Sequence, residues 1–138
     1  MFKTFLAATF FALGALAQSS AVGNWQYVDG PKTTFITTSE EGGQLKAKIT
    51  KVTNGGKDDP SATCGKCSGD SKDKPMVGLL ILWDTKKDGE GWKDGKLLDP
   101  ESGRIVTGKV EVVEGGKKLN VKGSVAFISK TQAWTKVQ

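Results

Sequence analysis

Two cysteines three positions apart, in Cys64-Gly65-Lys66-Cys67, are the groups of this chain best placed to do chemistry. A redox pair of this spacing sits on a strand-to-helix turn, where the helix N-terminus stabilises the thiolate. Here Ser61-Ala62-Thr63 and Ser68-Gly69-Asp70 flank the pair, so both sides read as loop. A zinc site needs four ligands, and two thiols supply only half of one. Three readings stand: a local disulfide, a redox-active pair, and a metal half-site or free thiols. The disulfide is the expectation, because the chain reads as exported into an oxidising compartment. A ring this short closes little chain entropy, so the bond is expected to pin an exposed loop and leave the rest of the fold intact without it.

Histidine is absent from the sequence. That removes the commonest neutral-pH acid/base and metal ligand, and with it every Ser-His-Asp or Cys-His triad within the chain. Asp84, Asp88, Asp94 and Asp99 invite comparison with paired catalytic carboxylates. Their neighbours are glycines and other turn formers, so turn chemistry accounts for them. A calcium loop from Asp84 fails, since Lys86 takes its third position and Gly95 its twelfth. Gly89-x-Gly91 with Gly95 misses the dinucleotide spacing, and no helix follows. No enzyme, cofactor or metal site is expected.

The net charge is +5, but lysines alternate with acids, as in Lys57-Asp58-Asp59 and Lys86-Lys87-Asp88, and Arg104 is the lone arginine. A mixed-sign solvated surface follows, without the clustered arginine of a nucleic-acid binder. Of the four tryptophans, Trp25, Trp83, Trp92 and Trp134, core packing is the ordinary role, and a small ligand cavity is the other use of such surfaces.

At the N-terminus the sequence reads as a leader. Lys3, the apolar run Phe5–Leu16 and Ala15-Leu16-Ala17 form the three regions of a signal peptide, residues 1–17. The run is too short to span a bilayer, so no membrane span is expected. Residues 18–138 then make one domain, exported to the periplasm or secreted. Alternation of apolar and polar residues predicts strands near 23–29, 33–38, 44–52, 77–84, 95–99, 103–113, 117–128 and 131–137. Leu119, Val121, Val125 and Phe127 share one parity and are expected to face inward. Glu114-Gly115-Gly116-Lys117 and Asp99-Pro100-Glu101-Ser102-Gly103 are the turn signals. Residues 53–75 form a long polar loop carrying the cysteines. Met76–Trp83 is apolar throughout, so both of its faces need cover. About eight strands, most with one apolar face, predict an all-β, small closed antiparallel meander barrel. Closure places Trp25 and Trp134 near each other on adjacent first and last strands.

Several stretches, in order, resemble the bacterial family called domain of unknown function 2147. They are Val22-Gly23-Asn24-Trp25, Lys74-Pro75-Met76-Val77-Gly78-Leu79, Trp92–Gly103, Leu119-Asn120-Val121-Lys122-Gly123 and Thr131–Val137. Family members usually carry an aromatic where Val106 stands and an arginine where Lys136 stands. Lysine cannot stack flat on an indole as arginine does, which puts the corresponding contact to tryptophan in question. Gly23-x-Trp25 with a basic residue on the last strand also resembles the lipocalin-like barrels. The resemblance implies a small exported envelope barrel and brings no known activity. On these grounds the expected function is a non-catalytic binding or accessory module for a small apolar or amphipathic ligand or an envelope protein. The alternative is an interaction barrel with a filled core, able to pair with itself through residues 76–83. Trp25, Trp83, Trp134, Lys136 and Asp99 are the candidate ligand or closure residues.

Overall fold

The computed structural model describes residues 20–137, so the leader reading lies outside the described residues. Ten antiparallel strands form one sheet: β1 Gly23–Asp29, β2 Lys32–Glu41, β3 Gln44–Asn54, β4 Lys57–Asp58, β5 Leu80–Trp83, β6 Lys86–Asp88, β7 Gly91–Asp99, β8 Arg104–Val113, β9 Lys118–Val125 and β10 Ile128–Lys136. Eight of them close into a barrel in the order β1-β2-β3-β5-β7-β8-β9-β10 and back to β1, while β4 and β6 are short additions. The closing seam pairs Trp25 with Lys136 and Gln26 with Thr135. A closed meander leaves no open sheet edge, which is the physical reason for joining the chain ends.

Period-two alternation supplies the core. Leu45, Ala47 and Ile49 are buried from β3, Val110 from β8, and Leu119 and Val121 from β9, with lysines on the opposite parity. Glycines sit where facing layers crowd. A methyl group on Gly108 would lie 3.0 Å from the Leu97 side chain, and one on Gly123 2.9 Å from Val106. Between β5 and β6, Thr85 does the work of a strand residue. Its buried hydroxyl accepts from Leu45 N–H (2.7 Å) and donates to the Leu45 carbonyl (3.0 Å), continuing the β3 pairing across the irregularity at Asp84.

Three sequence expectations are corrected. The strand expected over 117–128 ends at Val125, where Ala126 takes φ 53° and Phe127 turns fully outward, so Phe127 is the tip of a hairpin and no part of the core. The strand expected over 77–84 is confined to Leu80–Trp83, because Gly78 (φ 92°) bends the chain before it. Of residues 53–75, 53 and 54 complete β3 and β4 follows; the remainder is the expected surface loop, except that Cys64 and Cys67 are buried in the main core as a disulfide.

The cysteine segment is held by backbone bonds that a polar composition hides. Cys64 N–H donates to Lys74 O (2.8 Å), Asp73 N–H to Cys64 O (2.9 Å) and Met76 N–H to Ala62 O (2.8 Å). Gly78 N–H and Leu79 O then join Ile49 of β3. The segment lies over one end of the barrel, the mouth, where the β1–β2, β7–β8 and β9–β10 turns also gather. Its contact with the β7–β8 turn is close. A methyl group on Gly103 (φ 76°) would lie 1.8 Å from the Lys66 carbonyl oxygen. Gly103→Ala is therefore expected to cost about 2–3 kcal/mol, combining left-handed strain with a backbone clash. Gly42 has φ 59° with nothing within 4 Å, so Gly42→Ala isolates the strain alone, at about 1 kcal/mol. Equal melting temperatures for the two variants would remove the contact from the account.

Candidate functional site

The candidate residues fall at opposite ends of the barrel. At the end away from the mouth, Trp25 is fully buried and donates its indole N–H to Thr38 Oγ1 at 2.9 Å. The Thr38 hydroxyl donates in turn to the Ala21 carbonyl. Lys136 lies opposite Trp25 in the seam, with Nζ 5.5 Å from the ring centroid. Lysine thus keeps the cation–aromatic contact that arginine makes more flatly. Trp134 shares a strand and face with Lys136, is buried, and donates to Gln132 Oε1 at 3.1 Å. Trp25 and Lys136 thus face each other across the closing seam, and Trp134 is buried on the same strand as Lys136.

Trp83 goes elsewhere. It is paired with Lys96 and half-buried on the outer surface of β5, in a shallow hollow with Lys74, Pro75 and Leu80, so it does not line the interior. Asp99 reaches the mouth, but its carboxylate serves its own turn: Oδ1 accepts from Glu101 N–H (3.1 Å) and Oδ2 from Ser102 Oγ (3.0 Å).

Beside Asp99 the mouth opens into a cleft of about 390 Å³. Leu97, Val106 and Val121 give it an apolar lining, Val125 and Ile128 form its outer lip, and Asp99, Arg104, Lys130 and Gln132 supply polar groups. Strand parity explains the membership. Lys130 and Gln132 precede Trp134 at two-residue steps on β10, and Arg104 and Val106 precede Gly108 on β8, so all point to the inner face. Among the described residues, neither Arg104 nor Lys130 takes part in a salt bridge. Leu97, Asp99 and Gln132 also border a smaller interior space of about 50 Å³, beneath Met76 and Pro100 and beside Trp134.

Sequence reasoning singled out Asp99 at this site and missed Arg104, Lys130 and Gln132 as its polar groups. Counting parity backward from Trp134 along β10 would have found the last two. Among the described residues no group of His, Cys, Asp and Glu is arranged to hold a metal ion, and no helix is long and apolar enough to cross a membrane.

The model of the family described as "Uncharacterized protein conserved in bacteria (DUF2147)" matches residues 23–136, the whole barrel. The chain belongs to this family. No curated protein matches it in sequence. In structure, the DUF2147 barrel is similar to the protein HP1028 from the human pathogen Helicobacter pylori, described as belonging to the lipocalin family. The TM-score is 0.72 at 19% identity, over 86% of this chain and 83% of that one. At that identity the likeness establishes the fold: this DUF2147 member is a lipocalin-like barrel.

Proposed function

We propose that the barrel is a non-catalytic binding module of the bacterial envelope that takes a small amphipathic anion at its mouth. The observation that carries this reading is the open cleft, whose apolar lining of Leu97, Val106 and Val121 runs up to Arg104 and Lys130, two cations in no salt bridge among the described residues. A volume of about 390 Å³ falls within the range of small-ligand pockets. An acyl chain would displace water from the valine and leucine surfaces, and a carboxylate head would meet guanidinium and ammonium donors at the rim. The buried disulfide supports placement in an oxidising compartment.

Decanoate and decanol test the reading, since they share a chain and differ in the charge of the head. Tryptophan fluorescence or calorimetry is expected to show decanoate binding about tenfold tighter than decanol, a difference of about 1.4 kcal/mol. Val106→Trp, which fills the cleft, should weaken both by about tenfold or more. Arg104→Gln with Lys130→Gln should erase the preference for decanoate. Absence of binding by either compound, or indifference to Val106→Trp, would overturn the proposal.

A second reading has its own support. Val77 is 41% exposed, and Leu80 and Trp83 stay half-buried on the outer side of the apolar segment. Self-association through residues 76–83 would cover them, and sedimentation of Trp83→Ser against the parent tests it.

A further inference from the structure

The β9–β10 hairpin ends in Val125-Ala126-Phe127-Ile128, and this turn departs from what its backbone requires. Ala126 holds φ 53°, a position that Asn, Asp or Gly adopts at far less cost. Phe127 is 103% exposed and Ile128 77%, with Val125 at 46% beside them. Ile105, on neighbouring β8, is 56% exposed. The tip therefore spends a strained turn position and a bare aromatic ring on a surface that does nothing for the core.

Charge singles out the same hairpin. From Lys117 to the C-terminus the sequence contains Lys117, Lys118, Lys122, Lys130 and Lys136 and no Asp or Glu. Lys122 and Lys130 flank the tip, and Arg104 stands at the adjoining start of β8. Carboxylates at this end are mostly engaged elsewhere: Asp99 in its turn, Glu101 with Lys32 at 3.0 Å, Asp58 with Lys51 and Asp73 with Lys72. Asp29 sits on the β1–β2 turn.

We propose that this hairpin is a membrane-docking tip, with Phe127 and Ile128 entering the interfacial region of an anionic bilayer while Lys122, Lys130 and Arg104 face its headgroups. An exposed aromatic on a hairpin ringed by cations meets both demands of an anionic lipid surface, apolar burial and charge attraction. A second copy of this chain would bring the same cations face to face, which disfavours self-pairing here. Docking in this orientation turns the cleft mouth toward the lipid, since Val125 and Ile128 form its outer lip. The inference stands without the ligand proposal, because it rests on the tip and the charge of the hairpin.

Flotation of the described domain with vesicles tests it. Binding is expected to mixed phosphatidylglycerol–phosphatidylcholine vesicles, with little to phosphatidylcholine alone, and to weaken as sodium chloride is raised. Phe127→Ser should lower the partition by about tenfold while melting like the parent and binding decanoate as the parent does. Lys122→Gln should reduce binding to the anionic vesicles only. No binding to either vesicle, equal binding to both, or a Phe127→Ser variant that floats like the parent would each overturn the proposal. So would self-association without lipid that Phe127→Ser abolishes, because it would assign the tip to a second copy.

Discussion

Replacing Trp134 with alanine is expected to destabilise the barrel by about 3–5 kcal/mol, the range for deleting a buried aromatic from a close-packed core. Trp134 is 1% exposed and borders the interior space of about 50 Å³, so its loss would enlarge a void that neighbouring rigid strands cannot collapse. It also shares a strand with the two residues that close the sheet onto β1. For a domain of this size the loss is a large share of total stability. Trp134→Phe separates the contributions. It keeps most of the packing and gives up the bond to Gln132, for about 1 kcal/mol. Urea denaturation of both variants checks the ranking, and a Trp134→Ala midpoint close to that of the parent would remove the residue from the closure account.

The second large effect belongs to the cysteines. With Cys64 at 0% and Cys67 at 3% exposure, the Cys64→Ser/Cys67→Ser variant is expected to lose about 3–5 kcal/mol: about 2 from the short ring, the rest from burying hydroxyls in an apolar site. Cys64→Ala/Cys67→Ala avoids the hydroxyls and should lose about 2–3 kcal/mol. Losses of this size would distinguish a disulfide seated in the core from one that only pins an exposed loop, for which near-parental melting is expected. Far-ultraviolet circular dichroism should still report the barrel in the alanine variant. If both double variants melt like the parent, the cysteine segment contributes nothing to the core.

The barrel was legible in the chain because alternation and glycine turns are local signals, and Lys46 against Leu45 and Ala47 already states which face is wet. The pairing of the first strand with the last was legible for a topological reason, since a meander removes its edges only by joining its ends. What escaped was set by non-local contacts. Cys64 is surrounded by polar residues in sequence but by core in space, because backbone bonds to Lys74 and the seat of Gly103 on the Lys66 carbonyl fold the segment inward. The cleft escaped because its polar members look like ordinary surface residues until parity is counted, from Val110 back to Arg104 on β8 and from Trp134 back to Gln132 and Lys130 on β10. The turn at Ala126, which resets the parity between β9 and β10, has no glycine or asparagine to announce it.

The seam between β1 and β10 also sets the order in which the chain assembles. It joins Trp25 to Lys136 by only two register pairs, whereas β2 and β3 are adjacent in sequence and paired along most of their length. Closing a loop that spans nearly the whole domain is entropically the costliest contact, so the local hairpins form first and the seam last. Until that moment β1 and β10 are both bare edges, able to template onto another unfinished chain. The barrel is therefore most vulnerable to aggregation just before it is complete, and Lys130 and Lys136 along β10 place charge on one of those edges while it waits.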